Sequence, residues 1–346
     1  MAPAEKQIIV GGQAVIEGVM MRTPNAYAVA VRRLDGTIET RAERLRPPGE
    51  GRPLLRWPIV RGSVVLAQSM SIGVRALNFS ASLAVAEEEA QEKKARGEES
   101  APVEASSTSG SIVVAFAFNL LLFFVLPLLV TNLLFTLEAG LPPFPEVGDG
   151  WGALWAWIQT LFRPVSPTPA FHLVEGVLRM GLFLGMVWSF SRLKEIQRIF
   201  EYHGAEHKTI ASWEAGESVT VASAQARPRQ HPRCGTSFLM VVMFVSLAVF
   251  SWIRFDGWWA NLVARLALLP LIAGLSYEVI KAAGARESGR FFQWMTRPGV
   301  WLQHLTTREP SSEQLEVAIQ ALEASLALEP AGRELAAPPC PTAPSA

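Results

Sequence analysis

The stretch EYHGAEHKTI, residues 201–210, sets His203 and His207 four residues apart, with Glu206 directly before the second histidine. On an α-helix, positions i and i+4 share a face, so these two imidazoles can chelate one ion. Glu206 is offset by about 100 degrees from its neighbour and is placed to work on bound water rather than to ligate. A zinc ion held by two neutral imidazoles and a third ligand lowers the pKa of its water to roughly 7. A nearby carboxylate can then take the proton.

The order H-x-x-E-H is the signature of the inverted zinc metallopeptidases. The spacing alone leaves a second reading open, a polar and solvated helix end, and Gly204 inside the motif lowers helix propensity. Neighbouring residues favour the metal. QHPRCG, residues 230–235, sets His231 three residues before Cys234 with Pro232 between them. Glu278 in SYEV and His304 in QHLTTREP follow further along the chain. The expected third ligand is Glu278, then Cys234, then His231, because two histidines and a distant carboxylate form a common catalytic zinc set. A second anomaly is VGGQAVIEGVMMR, residues 10–22, an apolar run broken by glycines, Gln13 and Glu17 and closed by Arg22. Either Gln13, Glu17 and Arg22 line a site, or the glycines shape a tight edge. HPRCGTSF lacks the second cysteine of the zinc deaminase signature, and the chain has no Walker loop, G-x-S-x-G or G-x-G-x-x-G.

The elements that must position these residues are mostly apolar. Half of the 346 residues are hydrophobic and 18% are charged, against roughly a quarter in soluble domains. The formal net charge is zero, which gives no argument for nucleic acid. Cys234 and Cys340 form no disulfide framework. The N-terminus lacks the uninterrupted apolar core of a signal peptide. Segment 111–137 is uncharged and long enough for the ~30 Å bilayer core. Segments 170–190, 236–253 and 258–280 are the further expected spans. Arginines and lysines gather in 1–110, 191–235 and 281–310, whereas 138–169 holds only Arg163 and 254–257 only Arg254. By the positive-inside rule both termini and the 191–235 loop are cytoplasmic. Glu175 and Arg179 lie in the second span and Arg265 in the fourth. A charge inside a span costs at least ~2.5–3.5 kcal/mol on insertion scales, so Glu175 is expected to meet Arg265 with Arg179 beside it. The alternative is that Arg265 snorkels to the outer interface and Glu175 is satisfied by Arg179 alone.

Outside the spans, YAVAVRRLDGTIETRAE, residues 27–43, reads as strand, Asp35-Gly36 turn, strand, within a β-containing N-terminal region 1–60. Residues 61–86 form either an amphipathic helix on the membrane or a further helix packed in the bundle. Residues 87–110 read as a flexible linker. In 311–328, Ser311 and Gln314 have capping-box spacing before an apolar face of Leu315, Ala318, Leu322 and Leu326. The tail 329–346 reads as disordered.

GGQAVIEGVMMRTP, EYHGAEHKTI, HPRCGTSF, LSYEVIKAAG and PGVWLQHLTTREPSSEQLEVAIQALE together resemble the YqhQ-like family of bacterial membrane proteins. The resemblance runs from about residue 8 to 325 and leaves out the linker and the tail. It implies a metal-dependent enzyme of unknown reaction, with the metal chemistry carried by His203, Glu206, His207, His231 and Cys234.

The expected protein is mainly α and polytopic, with about four transmembrane helices. Its membrane domain is 111–310, in the bacterial cytoplasmic membrane. A cytoplasmic layer holds the small N-terminal β-structure, the motif loop 191–235 and the C-terminal helix. The expected cofactor is a divalent metal, zinc. The expected activity is hydrolysis of a lipid-linked molecule or a membrane peptide, and the rival is a non-enzymatic scaffold, assembly factor or transporter component.

Overall fold

In a computed structural model the described residues are 8–46, 53–96, 114, 117–140, 143, 150–161, 168–231, 234–253, 255, 258–284 and 290–330. The chain is mostly helical, with one four-stranded sheet near the N-terminus. It divides into two units. The first comprises Met1–Ala105, Trp188–Val241 and Gly274–Ala346, the second Ser106–Val187 and Val242–Ala273.

The sheet of the first unit is an antiparallel meander: β1 (Gly11–Val15), β2 (Gly18–Arg22), β3 (Ala26–Arg32) and β4 (Ile38–Arg44). The expected β3–β4 hairpin turns at Asp35-Gly36, where Gly36 takes φ 87° and the Asp35 carboxylate accepts from Thr37 N at 2.9 Å. The puzzling 10–22 run is a second hairpin. Its register pairs Gly12 with Met21 and Val15 with Gly18, leaving Ile16-Glu17 as the turn, with Glu17 at φ 53°. Alternation along the strands divides the core. Val19, Met21 and Ala30 face one side, and Met20, Val29 and Val31 face the other.

Helix α1 (Val60–Arg96) covers the second face through Ile72 and Ala76. Residues 61–86 thus belong to a helix that packs on a sheet. It also runs through the first ten residues expected as linker, and 97–110 lie outside the described residues. The other sheet face is covered by the helices of the motif loop and the C-terminus, described with the site below. Among them, the last helix begins with the anticipated box: Ser311 Oγ accepts from Gln314 N at 3.2 Å and Gln314 Oε1 from Ser311 N at 2.9 Å. Its Leu315, Ala318 and Leu322 are buried.

The second unit is helical. A π-helical turn, Leu121–Val125, leads into α2 (Leu126–Glu138), followed by α3 (Gly150–Leu161) and α4 (Pro169–Phe190). Among the described residues, three helices are long and apolar enough to cross a membrane: Ala117–Glu138, Pro169–Phe190 and, within α8 (Trp258–Gly284), Trp259–Lys281. The expected third span, 236–253, is the shorter apolar helix Gly235–Phe250, about 24 Å long at 1.5 Å per residue. Helix α3 lies within 138–169, the stretch whose one basic residue is Arg163, and it exposes Trp151 and Trp155 one turn apart. Within this unit Glu175 Oε1 accepts from both Arg179 and Arg265, and all three side chains are buried.

Candidate metal centre

Helix α5 (Lys194–Glu214), followed by the short α6 (Val221–Gln225), carries the histidine motif and is buried from Gly204 to Ile210. One face meets the sheet through Tyr202, Ala205 and Ile210. His207 is 1% exposed and Glu206 5%, which removes the solvated-helix reading. Gly204 has a packing reason. A Cβ there would run into the Arg308 carbonyl and lie 3.4 Å from Pro310 Cδ. The segment after α9 (Arg290–Thr306) thus lies directly across α5, with Arg308 N bonding Phe200 O at 2.9 Å.

That crossing fixes the first imidazole. His203 Nδ1 lies 2.8 Å from Thr306 O. Since a carbonyl only accepts, Nδ1 carries the proton and Nε2 presents a lone pair. His207 repeats the arrangement, with Nδ1 2.6 Å from Arg229 O. Carbonyl-oriented imidazoles of this kind are the usual outer-shell support of metal-ligating histidines. The two rings lie 4.4 Å apart. Cys234, just before α7 (Gly235–Phe250), brings its Sγ to 3.4 Å from His203 Nε2. Donor atoms of His203, His207 and Cys234 all lie within 4.8 Å of one another. A tetrahedral zinc ion would set such donors roughly 3.3–3.7 Å apart, given Zn–N near 2.0–2.1 Å and Zn–S near 2.3 Å. His207 Nε2 is buried and faces the Cys234 thiol, a weak hydrogen-bond partner. Burial pushes the His207 pKa down, with the Cys234 thiol opposing the shift, so the ring stays neutral as a ligand must be.

Glu206 sits beside this group on the side of the sheet edge. Burial pushes its carboxyl up, while the imidazoles of His203 and His231 and a hydrogen bond from Gly12 N pull it back. A Cβ on Gly12 would lie 2.7 Å from Glu206 Cγ and 2.8 Å from the Met20 carbonyl, so β1 approaches the carboxylate as closely as its backbone permits. The GG of the hairpin thus belongs to the site's surroundings through Gly12.

The remaining candidates stand elsewhere. Glu278, expected first as third ligand, is held by Arg61 of α1 at 2.6 and 2.5 Å. His231 is buried with its Nε2 3.0 Å from Glu214 Oε2, its ring centroid 5.9 Å from that of His207. Gln303 holds its backbone in both directions at 2.8 Å. His304 is exposed, its Nδ1 3.1 Å from Trp301 O. Gln13 lies against Gly73 of α1. Glu17 pairs with Arg198 and accepts from Tyr202 Oη at 3.3 Å. Arg22 donates to Ser69 and Gln68. The supporting groups, Glu214, Gln303 and the Thr306 and Arg229 carbonyls, carried no signal in the sequence.

The three membrane-length apolar helices among the described residues suggest a membrane protein, and its sheet-bearing unit gathers a His/His/Cys donor set. Residues 57–328 match the family described as "Protein of unknown function (DUF1385)", and the chain belongs to that family. It is 32% identical over 327 residues, 92% of each chain, to "Uncharacterized protein YqhQ" of Bacillus subtilis (strain 168), so the YqhQ-like resemblance holds. No solved structure matches.

Proposed function

We propose that this protein is a metal-dependent enzyme of the bacterial cytoplasmic membrane, a hydrolase whose site lies at the cytoplasmic surface. The observation that carries the reading is the buried His207 Nε2, which faces the Cys234 thiol beside a second imidazole with the same tautomer. A thiol is a weak hydrogen-bond partner, and a divalent ion satisfies this buried acceptor. His203, His207 and Cys234 hold the ion, a His/His/Cys set suited to zinc. Three protein ligands leave a fourth position open, as in catalytic rather than structural zinc sites. Bound zinc supplies a Lewis acid and acidifies a coordinated water. Glu206 is the proton acceptor, burial raising its affinity for protons, and Gly12 N–H steadies its carboxylate. The substrate is a lipid-linked molecule or a membrane peptide, because Cys234 directly precedes an apolar helix.

The topology proposed with it has four spans and both termini inside. The sheet, α5 and the C-terminal helix belong to one packed unit, so all three stand on one side of the bilayer. The chain must cross an even number of times between each pair. Among the described residues, two candidate spans separate the sheet from α5, but only Trp259–Lys281 separates α5 from the C-terminal helix. The short helix α7 is therefore the fourth crossing.

Metal analysis of detergent-purified protein tests the reading. One equivalent of zinc is expected in wild type, with loss in His203→Ala and His207→Ala, and retention in Glu278→Gln. Metal-free wild type, or loss in Glu278→Gln with retention in Cys234→Ser, would overturn it. One observation favours the rival, a transporter or assembly component: the second unit buries an ionic cluster of its own.

A further inference from the structure

The sheet of the first unit has two outer strands, and they differ in kind. β4 carries Glu39, Arg41, Glu43 and Arg44, with Arg41 paired to Glu43 at 2.7 Å. Charge on an outer strand is a common guard against a further strand adding to it. β1 (GGQAV) has no charge and no proline, and its five residues pair with β2 in an unbroken register. Gly11, Gly12 and Gln13 are exposed, and a Cβ on Gly11 would meet nothing within 4 Å. Among the described residues, β2 is the one strand that pairs with β1.

The phase of the ladder is set at Gly12. Its N–H donates to the Glu206 carboxylate, so it turns away from β2. Hydrogen-bonding direction alternates along an antiparallel strand. Gly11, Gln13 and Val15 therefore bond β2, and Ala14 turns its N–H and C=O outward together with Gly12 C=O. The Val15–Gly18 pair that closes the two-residue turn has the same phase. The outer edge thus offers backbone acceptors and a donor at strand spacing, and it runs up to the carboxylate beside His203. Small residues flank it, so a further strand can approach to the usual separation of about 4.8 Å. An extended polypeptide matches this alternation of donors and acceptors, whereas a lipid chain has none to offer.

We infer that the substrate is an extended peptide segment, which adds to β1 as a fifth strand and leads past Glu206 toward His203, His207 and Cys234. The inference rests on the metal-dependent reading and selects the peptide over the lipid-linked molecule. All of its parts lie in the first unit.

Calorimetric titration of the zinc-loaded full chain in detergent tests it with two chelating probes, acetohydroxamate and acetyl-trialanine hydroxamate. The added backbone hydrogen bonds should make the peptide hydroxamate bind about tenfold tighter or more. Ala14→Pro removes the outward donor and no bond to β2, as an edge strand allows, so it should lose most of this advantage. Its zinc content and acetohydroxamate affinity report whether the centre is intact. The wild-type chain gives a second measure that needs no variant: the same peptide methylated at every amide nitrogen should bind no tighter than acetohydroxamate. An advantage that survives methylation, or none with the unmethylated peptide, would exclude pairing on β1 and return the substrate to the lipid-linked class. A chain that takes up no zinc and binds neither hydroxamate would strike the metal reading itself, and this inference with it.

Discussion

Backbone carbonyls decide what each imidazole of the centre can do. Thr306 O and Arg229 O take the Nδ1 protons of His203 and His207, so both Nε2 lone pairs are available to one ion. The same burial acts in opposite directions on His207 and Glu206. For His207 it lowers the pKa from the ordinary 6.5, so its contribution to stability is present above 6.5 and is lost as pH falls through the folded value. For Glu206 it raises the pKa from 4.5. The neutral carboxyl's contribution is present below 4.5 and is lost as pH rises through the folded value. Glu206→Gln keeps the shape and an acceptor for Gly12 N–H but cannot ionise. In metal-stripped protein, chemical denaturation should therefore find this variant increasingly more stable than wild type as pH rises above 4.5. A difference independent of pH would show that Glu206 is not buried as a titrating group. With zinc present the variant should retain the ion, since no ligand is removed. Loss as complete as in His207→Ala would make Glu206 a ligand.

Where two elements cross at Gly204, a single methyl group distinguishes the packed centre from a solvated helix. In an exposed helix Gly→Ala stabilises by up to about 1 kcal/mol. Here the new Cβ meets the Arg308 carbonyl, so Gly204→Ala should destabilise by about 1–3 kcal/mol. It should also weaken zinc binding roughly tenfold or more, because Thr306 O is displaced from His203. Calorimetry and metal titration read both, and a stabilised variant with unchanged zinc affinity would place α5 outside any such crossing. This glycine also marks how far the sequence could be read. It looked like a flaw in a helical motif because its partner is 104 residues away. The β3–β4 hairpin and the Ser311 box were legible because their determinants are local: an Asp-Gly turn and an i, i+3 pair. The β1–β2 hairpin was not, since Gly12, Gln13 and Glu17 break the alternation that signals a strand. The choice between Cys234 and Glu278 was equally hidden. Both are chemically suitable, and only the long-range pairing of Glu278 with Arg61 takes the carboxylate away.

Across the whole molecule, the packed first unit constrains how the chain threads the bilayer. Its sheet, α5 and C-terminal helix share one core, whereas the described residues between them include three membrane-length helices and the shorter α7. Three crossings would place the C-terminal helix on the side opposite the sheet it packs against. The four crossings proposed above avoid this, and the charge distribution is what that proposal requires. The 191–235 segment carries seven arginines and lysines, and Arg192 stacks over Trp188 at 4.5 Å, as a basic residue does beside an interfacial tryptophan. The weak member is α7: sixteen residues span about 24 Å, short of the ~30 Å core, so this crossing requires local thinning of the bilayer or extension through Ser251–Ile253. Single cysteines in a background with Cys234 and Cys340 changed to serine test the threading in intact cells. Trp151→Cys and Phe255→Cys should react with a membrane-impermeant maleimide, whereas Ser218→Cys and Ser312→Cys should react only after permeabilisation. Phe255 decides the fourth crossing, because it follows α7 directly. Protection of Phe255→Cys alongside Ser218→Cys would leave α7 on the inner side. Trp259–Lys281 would then carry the chain outward, and the sheet and C-terminal helix could no longer share a core.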